Sequence, residues 1–410
     1  MIVRISRQFE SERLTIRAPK ISDAEDMHAA VLESLESLRP WMRWANRPLS
    51  LRGTSDFLRG SRWDWGTGTE FGLPMFLKGT NAFVGWMGLF RIDWNVPRIE
   101  IGYWVRKRFE GQGYVTEGLN AVTKFSAECL GARRVELHID ERNERSIRIA
   151  ERCGYDLEGT LRSYVRAEDG SLENTRFYSK VFPESGPVGL RSGDRTPAPL
   201  AVPPPDVQIP EQFESERLTI RAPRIDDAKE VNAAVRESLD MLAPWMPWAN
   251  RPPTLKESRE NQQRAREKFL AHEDFRLNAF FKGTETFVLG SGLHRVDWDV
   301  PKVEIGYWVR KQFAGQGYVS EAVNAITDFA FRVFGANRVE IRMDDDNMRS
   351  WKVAERCGFE REAVLRNECR KLDGTLRDTR VYSKIRSESE DHGSDLLEQP
   401  ISKRRHDLGH

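Results

Sequence analysis

Two short loops hold the residue types from which chemistry can be read. Arg108-Phe109-Glu110-Gly111-Gln112-Gly113-Tyr114 returns as Gln312-Phe313-Ala314-Gly315-Gln316-Gly317-Tyr318, each time between a strand-like run and a run with helical periodicity. Glycines let the backbone turn tightly and approach a ligand, while the free N–H groups and positive dipole end of the following helix face outward. That arrangement suits a bound phosphate. The plainer alternative is a tight turn into a helix. A P-loop needs Gly-Lys-Ser/Thr after its second glycine, whereas Tyr114 and Tyr318 follow here. A dinucleotide fingerprint needs GxGxxG, whereas four residues separate Gly113 from Gly118, and the second copy has Ala322 there.

The elements that must hold these loops are legible around them. IEIGYWV from Ile99 and VEIGYWV from Val303 are predicted strands. FVGWMGLFRI from Phe83 and FVLGSGLHRV from Phe287 are predicted antiparallel neighbours, joined through DWNVP or DWDVP. Beyond the loops, Val115, Leu119, Val122 and Phe125, or Val319, Val323, Ile326 and Phe329, fall on one helical face. RRVELHI or NRVEIRM then reads as a strand, followed by a short helix ending at Gly154 or Gly358. A last hairpin turns at Asp169-Gly170 or Asp373-Gly374. RLTIRAP opens each copy as an alternating strand, and Ser22 or Asp226 is expected to cap the helix after it.

The repeat is a duplicated domain. QFESERLTIRAP begins at Gln8 and again at Gln212, 204 residues on, and Asp93–Glu117 matches Asp297–Glu321 at 19 of 25 positions. A chain of 410 residues also exceeds what one core usually organises. The expected plan is a domain over 8–182, a linker over 183–210 with polyproline II character, a domain over 211–386 and a disordered tail over 387–410.

Bulk composition narrows the function. Lys+Arg total 64 against 63 Asp+Glu, so a formal charge of +1 gives no overall drive toward nucleic acid or an anionic membrane. No basic-aromatic module or helix-turn-helix pattern appears. No apolar run reaches the roughly 18 residues a membrane span requires, and the opening MIVRISRQFE lacks a signal-peptide core. A soluble, cytoplasmic protein is expected. Cys129, Cys153, Cys357 and Cys369 form no CxxC pair, which predicts reduced thiols and no metal site.

The loops match the [Q/R]xxGx[G/A] signature of the Gcn5-related N-acetyltransferases, or GNATs, at Arg108, Gly111 and Gly113 and at Gln312, Gly315 and Gly317. With RLTIRAP, PWM at Trp41, EIGYWV, GQGYVTE and NERSIRIAERCGY in order, each copy resembles the RimJ/RimL-like ribosomal-protein branch. The resemblance implies an α/β (α+β) fold in each copy: a mixed, mostly antiparallel sheet, splayed at the acetyl-CoA site and flanked by helices. It implies that acetyl-CoA lies against Val105 or Val309, with its pyrophosphate on the backbone from Phe109 to Tyr114 or from Phe313 to Tyr318. No metal is implied.

Acetyl transfer requires loss of a proton from the amine, stabilisation of an oxyanion and return of a proton to the thiolate. By the same resemblance Glu100 and Glu304 are general-base candidates; the alternative is a satisfied polar pocket. Asn143 with Ser146, and Asn347 with Ser350, would lie beside the pantetheine and sulfur, the serines donating the proton; the alternative is helix capping. The tyrosine acid common in the superfamily is replaced by Ala150 and Ala354. Glu70 and Asp274 are further carboxylates, read as solvated loop charge. Trp41, Trp44, Trp94, Trp245, Trp248 and Trp298 are candidates for the acceptor pocket, with helix-packing core the alternative for Trp41 and Trp44. The copies differ where substrate is expected: Arg43 against Pro247, Gly85-Trp86 against Leu289-Gly290, and Phe90 against His294.

The implied reaction is acetylation of an amine, either a protein N-terminus or an aminoacyl small molecule. Acetylation of an antibiotic or toxin would use the same site. A third reading has one copy sensing acetyl-CoA, and a pairing of the two copies within one chain follows by analogy with dimeric relatives.

Overall fold

The computed structural model describes residues 6–183, 208–371 and 373–387. The linker and tail expected from composition lie, apart from their edge residues, outside the described residues.

In the first copy β1 (Gln8–Glu10), β2 (Leu14–Arg17), α1 (Ala24–Leu38), α2 (Leu51–Thr67), β3 (Phe71–Leu77), β4 (Phe83–Asp93) and β5 (Arg98–Val105) lead to the glycine loop. After it come α3 (Tyr114–Glu128), β6 (Arg134–Asp140), α4 (Glu144–Arg152), β7 (Asp156–Arg166) and β8 (Leu172–Val181). The second copy repeats the plan as β9 (Gln212–Glu214), β10 (Leu218–Arg221), α5 (Ala228–Leu242), α6 (Leu255–Leu270), β11 (Phe275–Phe281), β12 (Phe287–Asp297) and β13 (Lys302–Val309). It closes with α7 (Tyr318–Val333), β14 (Arg338–Asp344), α8 (Met348–Arg356), β15 (Glu360–Arg370) and β16 (Leu376–Ile385).

The expected helical stripe is buried: Val115, Leu119, Val122 and Phe125 pack α3 onto one face of the sheet, with Leu14, Leu89 and Ile101 beneath. α1 and α2 cover the other face, where Trp86, Trp104, Phe76 and Phe83 meet Leu38 and Leu58. Asp23 and Asp227, rather than Ser22 and Asp226, secure the start of α1 and α5. Each carboxylate accepts from a backbone N–H three residues earlier and from a buried arginine, Arg17 or Arg221. The short aspartate side chain can serve both donors only from the last residue of the preceding 3-10 turn.

Among the described residues all sixteen strands form one sheet, in the order β1-β2-β3-β4-β5-β6-β8-β7-β15-β16-β14-β13-β12-β11-β10-β9. The copies join where β7 meets β15 in antiparallel fashion. Fully buried arginines cross this join in matched fashion. Arg134 holds Glu158 at 2.6 Å and donates to the carbonyl of Arg366 at 2.8 Å. Arg338 holds Glu362 at 2.6 Å and donates to the carbonyl of Arg162 at 2.8 Å. Each charge is spent on hydrogen-bonded partners, so removing one would strand another.

Candidate active site

The site begins where the only parallel pairing among the described residues of each copy stops. β5 pairs with β6 at Arg98, Ile99 and Glu100 and then parts from it; β13 leaves β14 after Glu304 in the same way. The edge of β5 beyond Glu100 therefore offers backbone groups that β6 no longer takes, and the gap opens toward the glycine loop.

Positive φ values at Gly111 (73°) and Gly113 (81°), and at Gly315 (77°) and Gly317 (86°), turn each loop into its helix. An L side chain would be strained at these positions. Gly113 and Gly317 are the N-terminal boundary residues of α3 and α7 and supply no capping side chain, which leaves first-turn N–H groups for a ligand. The loop is braced from within, since Gln112 Nε2 donates to the carbonyl of Arg108 at 2.7 Å and Gln316 to that of Gln312 at 2.8 Å.

Position 108 does another job. The Arg108 backbone N–H donates to Glu33 in α1 at 3.1 Å, and its guanidinium reaches the same carboxylate at 2.8 Å. In the second copy the Gln312 backbone N–H donates to Glu237, again at 3.1 Å. The shared contact is made by backbone, so it is kept where Gln312 stands in place of Arg108. The Arg108 guanidinium, with Arg106 beside it, holds the Glu33 carboxyl down at about 2.

In the first copy a groove of about 560 Å³ gathers most of the expected cofactor residues. Val105, Phe109, Glu110, Gly111, Gly113 and Tyr114 line it together with Asn143, Ser146 and Trp41. Arg145, Arg148 and Arg152 on α4 line it too, and α8 repeats their charge with Arg349, Lys352 and Arg356. These cations were not singled out from sequence, although their spacing of three and four along a short helix marks one face.

At the inner end Asn143 Oδ1 accepts from the Ser146 N–H at 3.1 Å, and Asn347 from Ser350 at 3.2 Å, so both asparagines cap their helices. The cap also fixes the serine hydroxyl at the groove. In the second copy Tyr307 Oη lies 2.9 Å from Ser350 Oγ. Burial raises the Tyr307 phenol above its ordinary range, and it pushes Tyr103 up to about 12. Each of these tyrosines stands beside a serine, Tyr103 at Ser146 and Tyr307 at Ser350.

Glu100 is buried on the α1–α2 side. Arg91 Nη1 donates to it at 3.0 Å, and His138 Nδ1 lies 3.2 Å away. Arg91 reaches it because a β-bulge sets that residue at φ 49°, a conformation repeated at Arg295. Glu304 receives Arg295 at 3.0 Å, but Arg342 replaces His138 and pairs with Glu368 at 3.3 Å. Glu100, Glu136 and His138 offer ligand atoms within 4.8 Å of one another. Arg91, at Glu100, and Arg134, 2.8 Å from Glu136, already neutralise this cluster.

The tryptophans divide. Trp41 lines the groove, while Trp44 and Trp248 stand partly exposed over Trp104 and Trp308, at 6.0 and 5.8 Å between ring centroids. Trp245 is half-buried just before Trp248. Trp94 and Trp298 lie at the far end of the sheet: Trp94 donates to the carbonyl of Gly68 at 3.2 Å, and Trp298 stacks on Phe334 at 5.3 Å. Glu70 is exposed, but Asp274 is not loose loop charge, because its carboxylate lies 2.5 Å from His294 Nδ1.

A family model described as "Acetyltransferase (GNAT) domain" matches residues 13–156 and again 217–360, most of both copies. The chain belongs to the GNAT acetyltransferase family. It is thus an acyltransferase with two GNAT domains. The chain is 29% identical over 172 residues to YdaF of Bacillus subtilis (strain 168), a protein provisionally named as a ribosomal N-acetyltransferase; the match covers 42% of this chain and 90% of YdaF. It is 23% identical over 172 residues to the ribosomal-protein-serine acetyltransferase of Escherichia coli (strain K12), covering 42% of this chain and 94% of that protein. Among solved structures, the complex of the Microcin C7 self-immunity acetyltransferase MccE with acetyl-CoA and AMP is 24% identical, over 42% of this chain and 93% of that one, with a TM-score of 0.39. No helix among the described residues is long and apolar enough to cross a membrane.

Proposed function

We propose that each GNAT domain binds acetyl-CoA between its parted strands and transfers the acetyl group to a primary amine, the α-amine of a protein N-terminus. One observation carries this reading: a single groove unites the edge of β5, the glycine loop, the Asn143–Ser146 cap and the basic face of α4. The diphosphate of the donor meets the free N–H groups of α3, and the α4 cations meet its remaining phosphate charge. The thioester then lies at the strand gap, where backbone N–H groups freed from β6 stabilise the oxyanion.

Glu100, steadied by Arg91 and His138, takes the proton from the amine in the first domain. Ser146 and Ser350 return a proton to the thiolate, and Tyr307 is positioned to resupply Ser350. Acceptors enter from the α1–α2 side, past Trp44 or Trp248. The two domains, sharing one sheet, act as an internal pair.

The test is thiol release from acetyl-CoA on a panel of peptides with varied N-terminal residues, alongside aminoacyl nucleotides, aminoglycosides and polyamines. Acetylated peptide as the main product supports the reading. Turnover confined to a small molecule would replace it with resistance-type or metabolite acetylation, and acetyl-CoA binding without turnover would replace it with sensing.

A further inference from the structure

The two domains place an imidazole beside the strand gap from opposite sides. In the second domain three residues stand in a row across neighbouring strands. His294 on β12 is the Cα partner of Glu304 on β13, and Asp274 immediately precedes Phe275, the partner of Leu293. Asp274 Oδ1 lies 2.5 Å from His294 Nδ1. That contact puts the ring proton on Nδ1 and leaves the Nε2 lone pair free to accept another.

The ring also lies at the right place. A Cβ built on Gly306 would stand 3.3 Å from His294 Cδ2 and 3.5 Å from Nε2, so the imidazole covers the backbone two residues beyond the last parallel pairing. In the first domain Phe90 takes this position over Gly102, and the imidazole is instead His138 on β6, against Glu100. Where His138 would be, the second domain has Arg342, close enough to act electrostatically on Glu304, which Arg295 already pairs. Glu304 thus has guanidinium partners and no imidazole.

We propose that His294, oriented by Asp274, is the general base of the second domain, whereas Glu100 serves the first. This rests on the acetyltransferase reading. His294 Nε2 accepts a proton from the ammonium form of the acceptor and passes it to water. The freed nitrogen lone pair forms the N–C bond as the C–S bond breaks, and the nitrogen's second proton reaches the departing sulfur through Ser350. Around His294 stand Asp274 just before β11, Arg276 from β11, Glu304 from β13 and Arg295 from its own strand, with Asn261 of α6 holding the Arg276 guanidinium. Asp274 is a positioning residue, since it acts through the ring.

The experiment uses the full chain with Gly113→Glu, which leaves only the second domain active. In that background His294→Phe, which installs the residue of the first domain, and His294→Ala lower kcat/KM by about 100-fold or more, the usual contribution of a positioned base. Acetyl-CoA affinity by calorimetry stays unchanged, which reports an intact fold. Added imidazole restores part of the His294→Ala activity, and the plateau of the pH–rate profile at neutral pH is lost in both variants. Glu304→Gln costs less than about fivefold, below the usual range for loss of a base. Retention of activity in both His294 variants, or a Glu304→Gln loss as deep as that of Glu100→Gln in the Gly317→Glu background, overturns the assignment. A parent chain that releases no thiol with any amine overturns the acetyltransferase reading itself, a pattern distinct from turnover that survives loss of His294.

Discussion

Gly159 and Ala363 are Cα partners across the join between the copies, and they are the same position of the repeat, 204 residues apart. A pseudo-two-fold axis therefore passes between them. A Cβ on Gly159 would come within 2.1 Å of the carbonyl of Glu362, so one side of the join has room for Ala only because the other has Gly. Gly159→Val is expected to cost about 1–3 kcal/mol by overpacking, read as a lower thermal midpoint. Unchanged unfolding would mean that the join does not contribute to stability.

Helix α3 presses on the sheet through Gly118, where a Cβ would meet Met75 Sδ at 2.6 Å and Met87 Cε at 2.8 Å. The second copy has Ala322 there and correspondingly small partners, Ala279 and Ser291. Gly118→Ala should therefore destabilise by about 1–3 kcal/mol in the parent and by much less in a Met75→Ala, Met87→Ser background, whose own cavities lower stability further. Denaturant titration of the variants measures the coupling. Simple additivity of the separate losses would rule out this packing account.

Acid should loosen the protein in a defined window. Glu33 is held at about 2 by Arg108 and Arg106. Burial pushes Glu136 and Glu340 up, but hydrogen bonding to His138 and the guanidiniums of Arg134 and Arg98 for the first, and Arg338 and Arg342 for the second, hold both below the usual range. A carboxyl depressed in the folded state stabilises it above the ordinary value near 4.5 and loses that contribution as pH falls through the folded value. Stability is expected to be level above about pH 5 and to decline from pH 4.5 toward 2, and Glu33→Gln should flatten part of that slope. A slope identical in parent and variant contradicts the role given to Glu33.

The basic face of α4 predicts a salt-sensitive donor affinity. Arg145→Ala with Arg148→Ala should weaken acetyl-CoA binding by about tenfold or more at low salt, as expected for lost charge-assisted contacts, and less at high salt. Isothermal titration in the Gly317→Glu background isolates the first domain. Equal affinity with and without these arginines would remove the phosphate role from α4.

Much of this was open to sequence reasoning because it is local. The glycine loops, the stripe from Val115 to Phe125 and the asparagine caps depend on residues within a turn or two of one another, and the repeat makes each reading twice. What escaped was set by register and non-local pairing. Arg91 reaches Glu100 through a bulge that leaves no composition signal, and Asp274, read as loop charge, meets His294 only because two strands pair in a given register. Trp94 and Trp298 look like pocket aromatics by type, yet their hairpins carry them to the far end of the sheet. The join at Gly159 could not be seen, since it pairs strands more than 200 residues apart.

The central claim, two working acetyl-CoA sites in one chain, is tested most directly by calorimetric titration of the full chain and of its Gly113→Glu and Gly317→Glu variants with acetyl-CoA. Two sites in the parent and one in each variant are expected. One site in the parent, lost in only one variant, would contradict it.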